Sequence, residues 1–307
     1  MKLHAIALTV AVGFLASSLI PASYCNAAEG KLTTAPEKKQ EESAATERAA
    51  RSQAGNVMSR QRKTVIVEAA SALVQTKDAL RALDLKKPNE AVAALERASG
   101  KLNIVLARDP KLALAPIDVN LTTYDVYTTL DAINKAREQA EDYLDAGEVQ
   151  NARVLLSDLA SEIVVSVVNI PLKTYPDAIA AAVPLIDRGK INEAKAKLEA
   201  ALSTLVTIDH VIPLPLLRAE VQLNNAEVLA QKKGRSEKEN KNLALFLAAA
   251  RHQVQLSEAL GYGHKQDYEQ LYSELDNIED KTNLGQSGTG FFDRIKGYLS
   301  NVLGVLG

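Results

Sequence analysis

Tryptophan is missing from this 307-residue chain, and all aromatic residues together make up 4% of it. Proline (10) and glycine (15) are sparse as well. β-Sandwiches and barrels need a turn signal every few residues and strands rich in aromatic or β-branched side chains, so the composition argues against both. An excess of basic charge is also lacking: 36 Lys and Arg face 38 Asp and Glu, for a net charge of −2. That leaves no electrostatic footprint for nucleic acid. Beyond the first 28 positions no apolar run is long enough to span a bilayer. Cysteine occurs once, at Cys25.

The chain is rich instead in Ala and Leu, the strongest helix formers, with hydrophobic residues at 47%. Its start is a special case. Lys2 is followed by an apolar run from Ala5 to Leu15 and then by small residues to Ala28, with Pro21 as a breaker. This is the layout of a secretory signal peptide over residues 1–28, cleaved near Ala27 or Ala28. Tyr24 stands where lipidation of Cys25 would need a small residue. Cleavage removes the one cysteine, and with it any disulfide, thiolate nucleophile or sulfur ligand. The expected location is the periplasm. Residues 29–63 follow as a polar tether: eleven charged side chains lie between Glu29 and Arg60, with few large apolar ones. Such a stretch buries too little surface to offset its ordering entropy, which makes it a mobile tether, transiently helical through its Ala, Glu, Lys and Arg.

The core, residues 64–281, contains an imperfect repeat. Asp84–Leu95, Asp145–Leu156 and Asp187–Leu198 align without gaps. Each opens with Asp at a helix end and starts a new helix whose first inward residue is Ala91, Ala152 or Ala194. Gly147 and Gly189 suit the left-handed conformation that terminates a helix. Nineteen positions after those alanines all three units reach proline, at Pro110, Pro171 and Pro213. The units are spaced by 61 and 42 residues, which places 19 extra residues around Leu121–Ala140. Within the second unit Val149, Ala152, Leu156 and Leu159 keep helical spacing, as do Ile191, Ala194, Leu198 and Leu202 in the third. A hairpin with one apolar face must stack on a neighbour. The expected architecture is all-α, made of stacked helical hairpins with proline-bounded corners. Glu162–Ile170 and Thr204–Ile212 are β-branched and end at proline, which leaves room for a minor two-stranded ladder. Residues 282–307 form a Gly-rich hinge and an amphipathic C-terminal helix with Phe292, Ile295, Leu299 and Val302 on one face. That face suits packing on a bundle better than docking on a membrane, because Arg294 and Lys296 are offset by Asp293.

Asp109-Pro110 with Leu112-Ala113-Leu114, Leu144-Asp145-Ala146-Gly147, Ala152-Arg153 with Leu155-Leu156, and Pro171-Leu172 with Tyr175-Pro176 form a set of motifs. Together they resemble the YfdX family of bacterial exported proteins. Gly189-Lys190, Pro213-Leu214-Pro215-Leu216 and Glu258–Gly263 extend the likeness over residues 64 to 280. The resemblance implies a helical, oligomer-forming periplasmic protein linked to stress, and it brings no catalytic residue or cofactor.

Chemistry is sparse in the residues themselves. His210, His252 and His264 lie in separate segments, without the i, i+4 spacing of a metal site. Asp209-His210 is the best local pair, since a carboxylate raises a histidine toward a pH switch; the plainer alternative is a solvated turn histidine. No G-x-S-x-G elbow is present. The leading expectation is a non-enzymatic stress-associated binding protein that forms a homo-oligomer. A second reading has Tyr124, Tyr127, Pro171, Tyr175, Pro176, His210, Pro213 and Pro215 converging at one end of the hairpins to bind a small amphipathic molecule. Its alternative is that these residues pack the repeat joints. A third reading, a hydrolase or lyase with carboxylates in a helical cleft, requires a buried pair with raised pKa values.

Overall fold

The computed structural model describes residues 35–126, 128–283, 286–287 and 290–305. The expected signal segment, residues 29–34 and Tyr127 lie outside these. The chain divides into Met1–Gln40 and Glu41–Gly307, and the second unit carries the features described below. Among the described residues there are twelve helices and one three-stranded antiparallel sheet in the order β1-β2-β3.

The repeat is present, and each unit is a helical hairpin followed by a strand. The first is α2 (Val67–Asp84), α3 (Pro88–Arg108) and β1 (Leu114–Tyr124). The second is α4 (Leu130–Asp145), α5 (Val149–Ser157) and β2 (Glu162–Pro171). In the third, α6 (Tyr175–Ala180) and α7 (Val183–Asp187) together replace the first helix, ahead of α8 (Ile191–Ser203) and β3 (Val206–Pro213). Pro184 lies in the first turn of α7, where the missing N–H is tolerated, and its ring disfavours helix in the residue before it.

All three hairpin turns close the same way. Lys87, Glu148 and Lys190 donate their backbone N–H to the carbonyls of Ala82, Tyr143 and Leu185, at 2.9, 2.7 and 2.9 Å. Lys86, Gly147 and Gly189, one residue earlier, bond to Leu83, Leu144 and Ile186. This paired closure needs a left-handed residue, and φ is +76° at Gly147 and +72° at Gly189. In the first unit a lysine does the same work, with Lys86 at φ +58°.

The strands exceed the expected two-stranded ladder. β2 and β3 pair as anticipated, with Ile163 opposite Ile212 and Asn169 opposite Val206. β1 adds to the other edge of β2, from Leu114 opposite Pro171 to Tyr124 opposite Glu162. Its strand character was obscured by Pro116, Asp118 and Asn120, residues depleted in strands. A register irregularity between Pro116 and Asp118 accommodates the proline. The extra length of the first unit also lies elsewhere than expected. Leu121–Ala140 holds the end of β1 and most of α4, which are ordinary parts of the repeat, whereas α3 has 21 residues against 9 in α5 and 13 in α8. Pro110 therefore precedes its strand, while Pro171 and Pro213 close theirs.

Two helical cores flank the sheet. The first joins units one and three: Ala91, Ala94 and Ala98 of α3, Ala72 and Ala79 of α2, and Ala194, Leu198 and Ala201 of α8 are buried together. The second is formed by α9 (Leu214–Ala230), α10 (Glu237–Ala259), α11 (Lys265–Asn283) and α12 (Phe291–Val305). The apolar face of α12, with Phe292, Ile295, Leu299 and Val302, is buried in this bundle, so it is not presented to a membrane. A capping box on Ser236 and Glu239 opens α10.

The segment expected to be a tether without fixed structure is helical over α1 (Ala35–Arg62). Its alanines favour helix, and tertiary contacts supply what its own apolar content lacks. Thr46 is buried, and Met58 packs on a cluster formed by Val119, Ile163, Val165, Val167, Ile212, Leu214 and Leu217.

Lys86→Gly should stabilise the protein by up to about 1 kcal/mol, because a side chain at positive φ costs roughly that much in the left-handed region. Urea melts of the two proteins check this, with Gly147→Ala expected to shift the midpoint the other way.

Candidate functional site

The most concentrated buried chemistry is centred on Arg218. This arginine lies in an otherwise apolar stretch, Leu214–Ala219, that continues directly from β3 and is buried throughout. Only 9% of Arg218 is exposed. A guanidinium there must be paired, since an isolated buried charge is costly. Its Nη1 and Nη2 donate to the two carboxylate oxygens of Asp125 at 3.2 and 2.6 Å, a forked pairing. Its Nε donates to Glu47 of α1 at 2.6 Å. Burial alone would lower the pKa of the guanidinium; hydrogen bonds to Asp125 and Glu47, with their charges, outweigh it and hold the pKa above its ordinary value.

The network continues through the loop before β2. Ser161 Oγ donates to Asp125 at 2.8 Å, and the Ser161 backbone N–H donates to the hydroxyl of Tyr262 at 2.9 Å. Tyr262 in turn donates to Glu162 at 2.8 Å. Burial pushes the Tyr262 phenol up; the Ser161 N–H opposes this, and the Glu162 carboxylate adds to it. Tyr268 donates to the Tyr262 carbonyl and lies 2.8 Å from Ser257 Oγ, and burial pushes its phenol up to about 12. One turn further on, Tyr272 donates to Glu258 at 2.6 Å. These phenols stay protonated at neutral pH and act as donors. The network thus ties together α1, the loop after β1, the loop before β2, the start of α9 and the turn between α10 and α11. Its chemistry is charge neutralisation and orientation: the Asp125 carboxylate is engaged by the guanidinium and receives the Ser161 hydroxyl.

Arg218 escaped the sequence reading. The available signal was a single cation in Leu214-Pro215-Leu216-Leu217-Arg218-Ala219, a run otherwise fit only for a core. Asp125 carried no comparable signal, because it joins Arg218 only through the fold. Tyr262 was legible only as part of the Glu258–Gly263 motif, not as the anchor that reaches Ser161.

The corner residues do not converge. Tyr124, Glu162 and Pro213 lie side by side at one end of the sheet, with Pro215 just beyond. Pro171, Tyr175 and Pro176 lie at or beyond the opposite end of the ten-residue β2, about 30 Å away along the strand. Matched prolines of successive repeats part company because their strands are antiparallel. Tyr124 is 50% exposed, whereas Tyr175 is 0% exposed and belongs to the core between units one and three. Burial pushes the Tyr175 phenol up, and the neighbouring Thr76, which donates to the Ala72 carbonyl, opposes this. His210 sits in β3 opposite Val165. Adjacent strand residues face opposite sides of a sheet, and Asp209 accepts instead from Ser166 Oγ at 2.6 Å. Among the described residues no group of three or more His, Cys, Asp or Glu is placed to hold a metal ion. Surface grooves of about 280 and 400 Å³ lie along α11 and α12, and α10 and α11, and none of the corner residues lines them.

The fold is therefore that of a mainly helical repeat protein whose hairpins are joined through a small sheet. Residues 72–211, from within α2 to within β3, match the family described as YfdX protein. Over these residues the chain is similar to the YfdX family, and the match runs through the three hairpin–strand units. The motifs at Pro213–Leu216 and Glu258–Gly263 lie beyond the match. The solved structure of Salmonella Typhi YfdX is similar at 18% identity, covering 49% of this chain and 93% of that one with a TM-score of 0.34. Comparison with curated proteins gives no match.

Arg218→Met leaves two carboxylates facing an apolar replacement and should cost about 3–5 kcal/mol, whereas Arg48→Met on the exposed side of α1 should change stability by less than about 0.5 kcal/mol. Chemical denaturation of both checks the difference. Tyr175→Ala should cost about 3–5 kcal/mol as a core cavity, while Tyr175→Phe, which removes only the buried hydroxyl, should stay within about 1 kcal/mol of the parent.

Proposed function

We propose that this protein acts by binding rather than by catalysis, as an exported, periplasmic, stress-associated protein that assembles with copies of itself. One comparison between repeats carries the assembly part of this reading. Leu95, Leu156 and Leu198 are the same position in the three units. Leu95 and Leu198 are 1% and 0% exposed, because the first and third hairpins pack on each other. Leu156 is 47% exposed, and Val149 beside it on the same helix face is 54% exposed. Leu144 at the end of α4 is exposed as well.

At Leu156 and Leu144 the second hairpin therefore exposes positions that its counterparts bury, as Leu95 and Leu198 and as Leu83 and Ile186. A face of this kind on a rigid hairpin favours assembly through a self-complementary contact. Export rests on the residues before Ala28, and the link to stress rests on the family. Among the described residues no helix is long and apolar enough to cross a membrane.

Native mass spectrometry of the protein from a periplasmic extract tests assembly and export together. The expected result is a multiple of the mass of a chain lacking its first 27 or 28 residues. Val149→Glu combined with Leu156→Glu should reduce it to single copies without loss of helicity by circular dichroism. A strict monomer of the unaltered chain at micromolar concentration overturns the assembly reading.

A further inference from the structure

The face of the sheet beneath α1 is more apolar than the helix that covers it. Ile163, Val165, Val167 and Ile212 form its floor together with Leu214 and Leu217 of α9. Between residues 35 and 62 the only large apolar residues of α1 are Val57 and Met58, and Met58 packs on this floor. At the other end of the contact, α1 presents polar groups to α9. Glu47 accepts from Arg218 Nε at 2.6 Å, and Thr46 Oγ1 accepts from Gln222 Nε2 at 2.9 Å. Arg218 and Gln222 are one turn apart, so their donors share one side of α9. The body thus offers two adjacent hydrogen-bond donors, one of them cationic, at the end of an apolar floor. α1 meets the donors with the Glu47 carboxylate and the Thr46 hydroxyl, and the floor with the flexible Met58.

We propose that α1 is a displaceable strap and that the surface under it binds a single-chain amphiphile with a carboxylate head, such as a fatty acid. The head group takes the place of the Glu47 carboxylate on Arg218 and of the Thr46 hydroxyl on Gln222, and the alkyl chain takes the place of Met58 on the floor. Exchange of one carboxylate for another preserves the charge balance at Arg218. The forked pairing with Asp125 keeps the guanidinium oriented while Glu47 leaves. Eleven residues of helix separate Glu47 from Met58, about 16 Å, a distance that an extended dodecanoate spans. Glu47, Thr46 and Met58 hold the strap to this surface, whereas each methylene laid on the floor is worth about fourfold in affinity. This site is independent of self-assembly through the second hairpin, and a monomeric protein would contain it equally.

The test uses the full-length exported protein and dodecanoate below its micellar concentration, with calorimetry for binding and hydrogen–deuterium exchange over residues 44–62 for the strap. Saturable binding of one dodecanoate per chain with loss of amide protection in α1 is expected. Glu47→Gln, which weakens the strap alone, should tighten binding about tenfold, and Gln222→Leu should weaken it by a similar factor with helicity unchanged. Butyrate, too short to reach the floor, should not bind. Three results each overturn the proposal: no saturable binding to the parent or to Glu47→Gln, binding that leaves α1 protected, or equal binding of dodecyltrimethylammonium, which has the same chain and the opposite charge.

Discussion

Antiparallel pairing of three strands, each the last part of a helical hairpin, is the constraint on which the rest of this structure depends. Pairing reverses direction at every step, so β1 and β3 run the same way on either side of β2. Hairpins one and three consequently enter the sheet from the end marked by Leu114, Pro171 and Val206, and there they bury their alanine faces against each other. Hairpin two enters from the opposite end, where Arg137 of α4 donates to the Ala259 carbonyl, and among the described residues no other hairpin covers Leu156. One backbone rule thereby produces both the first core and the exposed face of α5. It also separates the tyrosines and prolines that the repeat places at equivalent positions.

The end at which hairpin two enters is also where β3 runs directly into α9, and there the sheet, the second core and α1 meet around Arg218. A charge in such a place is tolerable only when its desolvation is offset by well-formed partners. The forked contact to Asp125 and the single contact to Glu47 provide them, and Ser161 and Tyr262 extend the bonding to the α10–α11 turn. These residues come from five separate parts of the chain. Their pairing is specific in a way that apolar packing is not, because each partner must arrive at a defined angle and distance. The Glu47 contact, with Thr46 on Gln222 and Met58 on the sheet, ties α1 to this junction.

Much of the fold was legible from local signals. The three Asp-led turns, the helices after them, the β-branched runs before Pro171 and Pro213, and the inward face of α12 all follow from periodicity and capping chemistry. β1 was hidden because Pro116, Asp118 and Asn120 dilute its pattern, and the sheet accepts them only through an irregular register on an edge strand. The helical tendency of α1 was legible in its composition, but its docking was not, because it is held by Arg218, Gln222 and the sheet, more than 100 positions away for the polar contacts. The Arg218 cluster was visible only as an oddity, one cation in an apolar run, and its partners left no trace in the pattern.

The amino-acid sequence by itself determined the helical character, the repeated hairpin turn and the places where helix gives way to strand. These are set by neighbours a few residues apart, through side-chain spacing and the geometry of helix ends. Only the tertiary structure decided which hairpins meet, which repeat position stays exposed and which carboxylates serve Arg218. Those outcomes depend on strand direction and on contacts between distant segments, and spacing along the chain carries no information about either.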